Sequence, residues 1–151
     1  MNPFRNGENN IILIGNETII DSVTMVSGYD EATVSLLSKS IRIASPTNQG
    51  AKVVGSTTNS FDLTDYTSAY IVLKQTTSSS YGNIKVGFST GQNDTYVASL
   101  TFGNGEGNSG THDHGGMIDI SSLTGNHYLC FSIPKHGYSS SANIYLVILG
   151  K

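Results

Sequence analysis

An all-β fold, built as two packed antiparallel sheets of jelly-roll type, is the architecture this sequence predicts. Apolar residues alternate with a period of two from about residue 68 to the end, the mark of strands with one face in a core. Clusters of Gly, Ser and Asn interrupt the alternation roughly every eight to twelve residues, a spacing of short strands and turns. The composition agrees: hydrophobic residues make up 37% of the 151 residues and charged residues only 13%, while Ser, Thr and Asn supply about a third. Such a chain is polar without being charged, and its 8 Tyr and 5 Phe, with many Ile and Val, set it apart from a disordered segment. This length predicts one globular domain around one core, with residues 1–30 as an N-terminal arm or first strands and 31–151 as the β-sandwich. About ten short strands joined by long connections favour the jelly roll; an up-and-down barrel is the alternative.

Asn2, Pro3, Asn6, Gly7, Asn9 and Asn10 open an arm expected to order against a neighbouring subunit. Residues 19–26 and 33–44 read as extended, although Leu36 and Leu37 could open a short helix. Residues 53–61 carry Thr57, Thr58, Asn59 and Ser60, the composition of an edge or turn. The stretches Asp62-Leu63-Thr64-Asp65-Tyr66 and Asp119-Ile120-Ser121-Ser122-Leu123-Thr124-Gly125 share a pattern: an acidic residue, an apolar residue, then a Ser/Thr turn. Each is expected to form a capped turn across one end of the sandwich, with side-chain oxygens taking loose backbone N–H groups. In residues 68–75, Ala69, Ile71 and Leu73 share one face; in 83–89, Ile84, Val86 and Phe88 do; in 95–102, Tyr96, Ala98, Leu100 and Phe102 do. These faces are the predicted core. The stretch 103–116, with Gly at 103, 105, 107, 110, 115 and 116, reads as a long loop. Leu129, Phe131 and Ile133 alternate again, and the continuous apolar run 144–149 predicts a strand that is central or lies at a subunit contact.

Net charge is −3 and the 8 Lys and Arg are scattered, so no footprint for a phosphate backbone is visible and nucleic acid is not an expected partner. The apolar run at residues 11–14 is cut by Gly15, Asn16 and Glu17, too early for a signal peptide or a membrane span; a soluble chain is expected. The turns also carry a resemblance. Phe61-Asp62-Leu63-Thr64-Asp65-Tyr66, the strand Tyr70-Ile71-Val72-Leu73, the run Lys85-Val86-Gly87-Phe88-Ser89, and Ile118-Asp119-Ile120-Ser121-Ser122-Leu123-Thr124-Gly125 ahead of an apolar strand resemble small jelly-roll domains in tail and fibre proteins of bacteriophages and prophages of gut bacteria. The resemblance covers roughly residues 58–150 and rests on turn chemistry, not on catalytic signatures. It implies a non-enzymatic virion structural or host-adsorption module, made in the bacterial cytoplasm and carried in the particle. It further implies a homo-oligomer, a trimer foremost, with other virion proteins and cell-surface glycan as partners. A freestanding carbohydrate-binding module is the alternative reading, and a glycan-active enzyme a third.

Two local features point to binding chemistry. Thr111-His112-Asp113-His114-Gly115-Gly116 sets two imidazoles two residues apart in the Gly-rich loop, where both can turn to one transition metal; three chains about a threefold axis would then supply six nitrogens. An extended segment is expected to set the two rings on opposite sides, and a merely solvated loop is the competing reading. Tyr81 and Tyr138 fall in loops where a flat ring can stack on a pyranose, with Asn83, Asp94 and His136 as polar partners for its hydroxyls. Against that, loop tyrosines often cap sandwich ends, and the chain has no Trp. Tyr70, Tyr96 and Tyr145 lie in strand-like runs and are expected in the core or an interface.

For catalysis there is no Gly-x-Ser-x-Gly, no His-Glu-x-x-His and no phosphate-binding glycine loop followed by Lys, so no enzyme is expected. Asp94, Glu106, Asp113 and Asp119 are the carboxylates on which a glycoside-hydrolase pair would draw. Asp62, Asp65 and Asp119 could ligate a structural calcium, although turn capping accounts for them equally well. Cys130 stands in an apolar run without an evident cationic neighbour and is expected to be an inert buried thiol.

Overall fold

The computed structural model describes residues 11–14, 20–46, 51–77, 83–103, 110–135 and 139–151. Its strands are β1 (Ile11–Ile14), β2 (Val23–Ser27), β3 (Thr33–Leu36), β4 (Ile41–Ser45), β5 (Val53–Thr57), β6 (Phe61–Asp62), β7 (Ser68–Thr77), β8 (Asn83–Ser89), β9 (Ala98–Gly103), β10 (Gly110–Asp119), β11 (Asn126–Ile133) and β12 (Ser140–Gly150). They form two antiparallel sheets. The first runs β10-β7-β12-β4-β3 with β1 beside β12, and the second runs β2-β5-β11-β8-β9 with β6 beside β11. Apart from the β3–β4 and β8–β9 neighbours, strands that share hydrogen bonds are mostly remote in sequence, and the chain crosses repeatedly between sheets. This is the expected two-sheet sandwich of jelly-roll type.

Period two sorts the side chains. Ile71 and Leu73 of β7, Ile144 and Val147 of β12, and Ile41 and Ile43 of β4 turn inward from the first sheet; Val86 and Phe88 of β8 and Leu129 and Phe131 of β11 meet them from the second. Each such side chain, fully removed from water, contributes about 1.5–3 kcal/mol. Phe131 is accommodated by a missing neighbour: a Cβ on Gly55, one strand away, would stand 2.2 Å from the Phe131 ring. The phenyl ring therefore lies flat across the β5 backbone, and only glycine leaves it room.

The twin turns form as the sequence predicts. Asp62 accepts hydrogen bonds from the Thr64 amide (3.0 Å) and hydroxyl (2.6 Å), and Asp119 accepts them from the Ser121 amide (3.0 Å) and hydroxyl (2.6 Å). Thr64 Oγ1 in turn accepts from the Gly125 amide at 2.8 Å, tying the two turns to one end of the sandwich. These bonds hold both carboxyls below the usual Asp range, the side-chain hydroxyl being the larger cause in each case.

Several expectations are corrected. Part of the stretch read as a long loop is strand: β10 pairs with β7 along its whole length, from Gly110 opposite Thr77 to Asp119 opposite Ser68. Its alternation was hidden because its inward positions hold His112, His114 and Gly116 ahead of the one aliphatic, Ile118. Gly116 is small because a Cβ there would meet Leu100 of the facing sheet at 2.7 Å. Residues 53–57 form an interior strand between β2 and β11, and residues 58–60 make the expected turn into β6. Leu36 closes β3 and opens no helix. Within the first 30 residues, β1 pairs with β12 and β2 with β5 of the same chain, as first strands of the sandwich. The terminal strand β12 is central, with β7 along one side and β4 then β1 along the other.

Candidate functional site

The outward positions of the first sheet form an open surface with two unlike bands. Register places Asp113, Lys74, Asn143, Arg42 and Ser35 in one row across β10, β7, β12, β4 and β3. At about 4.8 Å per strand this polar row spans about 19 Å, the length of several linked sugar rings. Lys74 Nζ lies 3.9 Å from the Asp113 carboxylate, and Arg42 Nη1 donates to Asn143 Oδ1 at 3.0 Å. Both pairs are exposed, so they hold their side chains in place weakly and stay open to exchange with a ligand's hydroxyls.

Beside the polar row runs an aromatic and apolar band: Tyr70 and Val72 on β7, Met117 on β10 and Tyr145 on β12. Met117 is 46% exposed and Tyr145 38%. A register shift between Ile144 and Leu146 puts the extra residue, Tyr145, outward. The Tyr70 hydroxyl lies over Gly115, only 3.1 Å from where a Cβ would stand. Partial burial, then the Asp113 carboxylate and Tyr70, push the Tyr145 hydroxyl pKa upward. A shallow pocket of about 250 Å³, lined by Arg42, Ala44, Pro46, Thr76 and Ser139–Ser141, continues the surface toward the other end of the strands. Tyr70 and Tyr145, expected in core or interface, thus belong to this surface. The signal for them was present in the alternation itself: opposite the apolar face of β7 stand Tyr70 and Val72, large side chains on a face that solvent should claim.

Of the sugar-site residues expected from the loops, two are among the described residues. Tyr81, His136 and Tyr138 lie outside the described residues. Asn83 and Asp94 do come together, but on the second sheet, in a pocket of about 260 Å³ shared with Lys52, Lys85, Tyr96 and Thr101. There the segment 90–97 folds over the sheet. Tyr96 shares a hydrogen bond with Ser132 Oγ (2.8 Å) and donates to the Lys85 carbonyl (3.3 Å), and Lys85 Nζ sits 5.1 Å from its ring centre. Burial drives the Tyr96 hydroxyl pKa well above its ordinary value. Asp94 pairs with Lys52, whose ammonium holds the carboxyl below the Asp range. In this pocket Tyr96 is tied to Ser132 and Lys85, and Asp94 to Lys52. Tyr96 is accordingly a loop residue tied to the sheet, not a strand residue of the core.

His112 and His114 both face inward from β10, at the gap between the β10 and β9 edges. The expectation that a strand sets them on opposite sides is corrected: residues two apart on a strand share a face. Their ring centroids lie 6.5 Å apart, and Phe102 of β9 packs 5.9 Å from the His114 ring. Burial, then the neighbouring His112, depress the His114 pKa below 6.5, against a smaller upward pull from Asp113. With the folded pKa below the unfolded one, stability is fully present above pH 6.5 and is lost as the pH falls through the folded value. Urea midpoints measured from pH 7.5 to 5 should therefore fall on the acid side of about 6.5, and H114Q should flatten that slope; an unchanged slope in the variant would refute the assignment.

Of the four carboxylates on which a hydrolytic pair would draw, the three that are described, Asp94, Asp113 and Asp119, are spread over the fold. Asp113 and Asp119 lie six residues apart on one strand, about 20 Å, far beyond the spacing of a glycosidase pair. Asp94 is on the other sheet, and Glu106 lies outside the described residues. Among the described residues no group of three His, Cys, Asp or Glu side chains is placed to hold a metal ion, and Asp62 and Asp119 are engaged in capping their turns. Cys130 is buried, its Sγ 3.6 Å from Ser56 Oγ and 3.7 Å from the Gly91 carbonyl.

The chain's fold is shared with solved carbohydrate-binding modules. A family 30 carbohydrate-binding module of a cellulosomal cellulase from Clostridium thermocellum superposes over 94% of this chain and 98% of its own, with a TM-score of 0.56 and 11% identity. A low-affinity xylan-binding module of family 86 from the gut symbiont Roseburia intestinalis covers 93% of both chains, with a TM-score of 0.52 and 12% identity. A family 29 carbohydrate-binding module covers 93% of this chain and 86% of its own, with a TM-score of 0.52 and 13% identity. No family model matches the sequence, and no curated protein matches it. At such identities the likeness shows the fold: an all-β jelly roll of the kind these modules use.

Proposed function

We propose that this chain is a non-catalytic glycan-binding module whose ligand lies across the outer face of the first sheet. The observation that carries the reading is the pairing of the two bands: Tyr70 and Tyr145 offer ring faces to the apolar side of a sugar, while Asp113, Lys74, Asn143 and Arg42 stand alongside to read its hydroxyls. An open surface of this length suits an extended chain better than a single monosaccharide, for which an enclosed pocket is the usual solution. Paired ion and amide groups beside exposed rings give the orientation that stacking alone lacks. The fold shared with carbohydrate-binding modules supports this reading over a virion role, and the separation of Asp94, Asp113 and Asp119 supports binding without hydrolysis.

Affinity electrophoresis through gels cast with soluble polysaccharides, xylan, glucomannan and mixed-linkage β-glucan among them, tests the proposal. Retardation by at least one neutral polysaccharide is the expected result, and uniform migration in all of them would count against it.

The virion reading, with a homotrimer and virion partners, rests on the turn resemblance. The outer face of the first sheet is the surface a trimer would have to leave free for glycan. Light scattering after gel filtration separates the two readings: a monomer is expected for the freestanding module, while a stable trimer at micromolar concentration would return the weight to the virion reading.

A further inference from the structure

We infer that His112 and His114 form a binding site for a borderline divalent transition ion, Zn2+ or Ni2+, held through their two Nε2 atoms. Three observations carry it. β10 sets the two side chains on the same inward face, opposite Gln75 and Leu73 of β7, so the strand itself performs the alignment. The rings are neighbours, 6.5 Å between centroids. Both Nε2 atoms are buried and neither has a hydrogen-bond partner.

The last observation is the decisive one. A buried ring nitrogen without a partner is rare because burial strips away its water and returns nothing, and two of them side by side double the cost. A cation accepting both lone pairs removes that cost at a stroke. Neutral imidazole nitrogen is the ligand that Zn2+, Ni2+ and Cu2+ prefer over Ca2+ and Mg2+, which look for oxygen. At about 2.1 Å from one ion, the two nitrogens stand within about 4 Å of each other. From centroids 6.5 Å apart, the two rings must turn toward each other to reach that separation. Phe102 backs His114 on the β9 side and limits the directions in which that ring can turn. Among the described residues no third His, Cys, Asp or Glu joins the pair, so two protein ligands hold the ion and the affinity is modest.

The site is separate from the glycan surface, since Asp113, between the two histidines, points to the opposite face of the same strand. Metal binding therefore stands or falls without any sugar present. Chelator-stripped protein is titrated with ZnCl2 and with NiCl2 by calorimetry, and the histidine ring protons are followed by NMR during the Ni2+ titration. One ion per chain is expected, with broadening confined to the His112 and His114 rings, and at least tenfold weaker binding in H112Q and in H114Q. Circular dichroism and the metal-free melting temperature report whether each variant is folded; if one is not, the ring broadening in the unmutated protein decides. No binding up to millimolar metal, retained affinity in the folded H112Q/H114Q double variant, or broadening at His127 or His136 instead would overturn the inference.

Discussion

Phe131→Ala is expected to lower the free energy of unfolding by about 3–5 kcal/mol, the range for removing a buried phenyl ring. That is a large share of the 5–15 kcal/mol or so that holds a typical domain together. The ring is fully buried at the centre of the second sheet's inner face, and its space was made by the missing Cβ of Gly55, 2.2 Å from the ring edge. The two positions should therefore be coupled. Gly55→Ala alone forces the ring or the β5 backbone to move, an overpacking cost of about 1–3 kcal/mol or more. In the Phe131→Ala background the new methyl has somewhere to go, and most of that cost should vanish. Denaturant midpoints for the two single variants and the double variant measure the coupling, with Phe131→Leu as the milder substitution if Phe131→Ala does not fold. Additive effects, within about 0.5 kcal/mol, would show that the ring and the glycine do not meet.

Tyr145→Ala is expected to weaken glycan binding about tenfold or more, from the 1–3 kcal/mol typical of an aromatic anchor at a binding surface. Tyr70→Ala should act in the same direction, and both together should abolish measurable binding. Asp113→Asn tests the neighbouring polar band and should cost less, because its pairing with Lys74 is exposed and long. Asp94→Asn, on the opposite sheet, should leave affinity unchanged. The reverse pattern, binding lost with Asp94 and kept without Tyr145, would move the site to the pocket beneath the segment 90–97.

How much of this was legible in the sequence depended on which face carried the signal. In β7, β8 and β11 the inward face is a run of aliphatic and aromatic side chains, and alternation alone identifies both the strand and its core residues. The twin Asp turns were legible for a similar reason: an acidic residue two before a Ser or Thr is local chemistry, complete within three residues. β10 was not legible, because its inward face begins with two histidines and a glycine and so carries no hydrophobic period. The polar row of the first sheet escaped because its parts are brought together by pairing. Asp113, Lys74, Asn143 and Arg42 come from four strands, and their common row exists only through registers that link residues as far apart as 42 and 143. Loop tyrosines attracted attention as exposed rings, yet Tyr70 and Tyr145 are held outward by strands, where a rigid backbone presents them at less entropic cost. Asn83 and Asp94 line one pocket on the second sheet, where Asp94 pairs with Lys52.

The central claim is that a glycan lies across the outer face of the first sheet. Its most direct test is an amide shift map recorded while a soluble oligosaccharide, taken from whichever polysaccharide retards the protein, is titrated in. Shifts concentrated on β7, β10 and β12, at Tyr70, Lys74, Asp113, Asn143 and Tyr145, are the predicted result. Shifts centred on Asp94 and Tyr96, or none at saturating sugar, would contradict it.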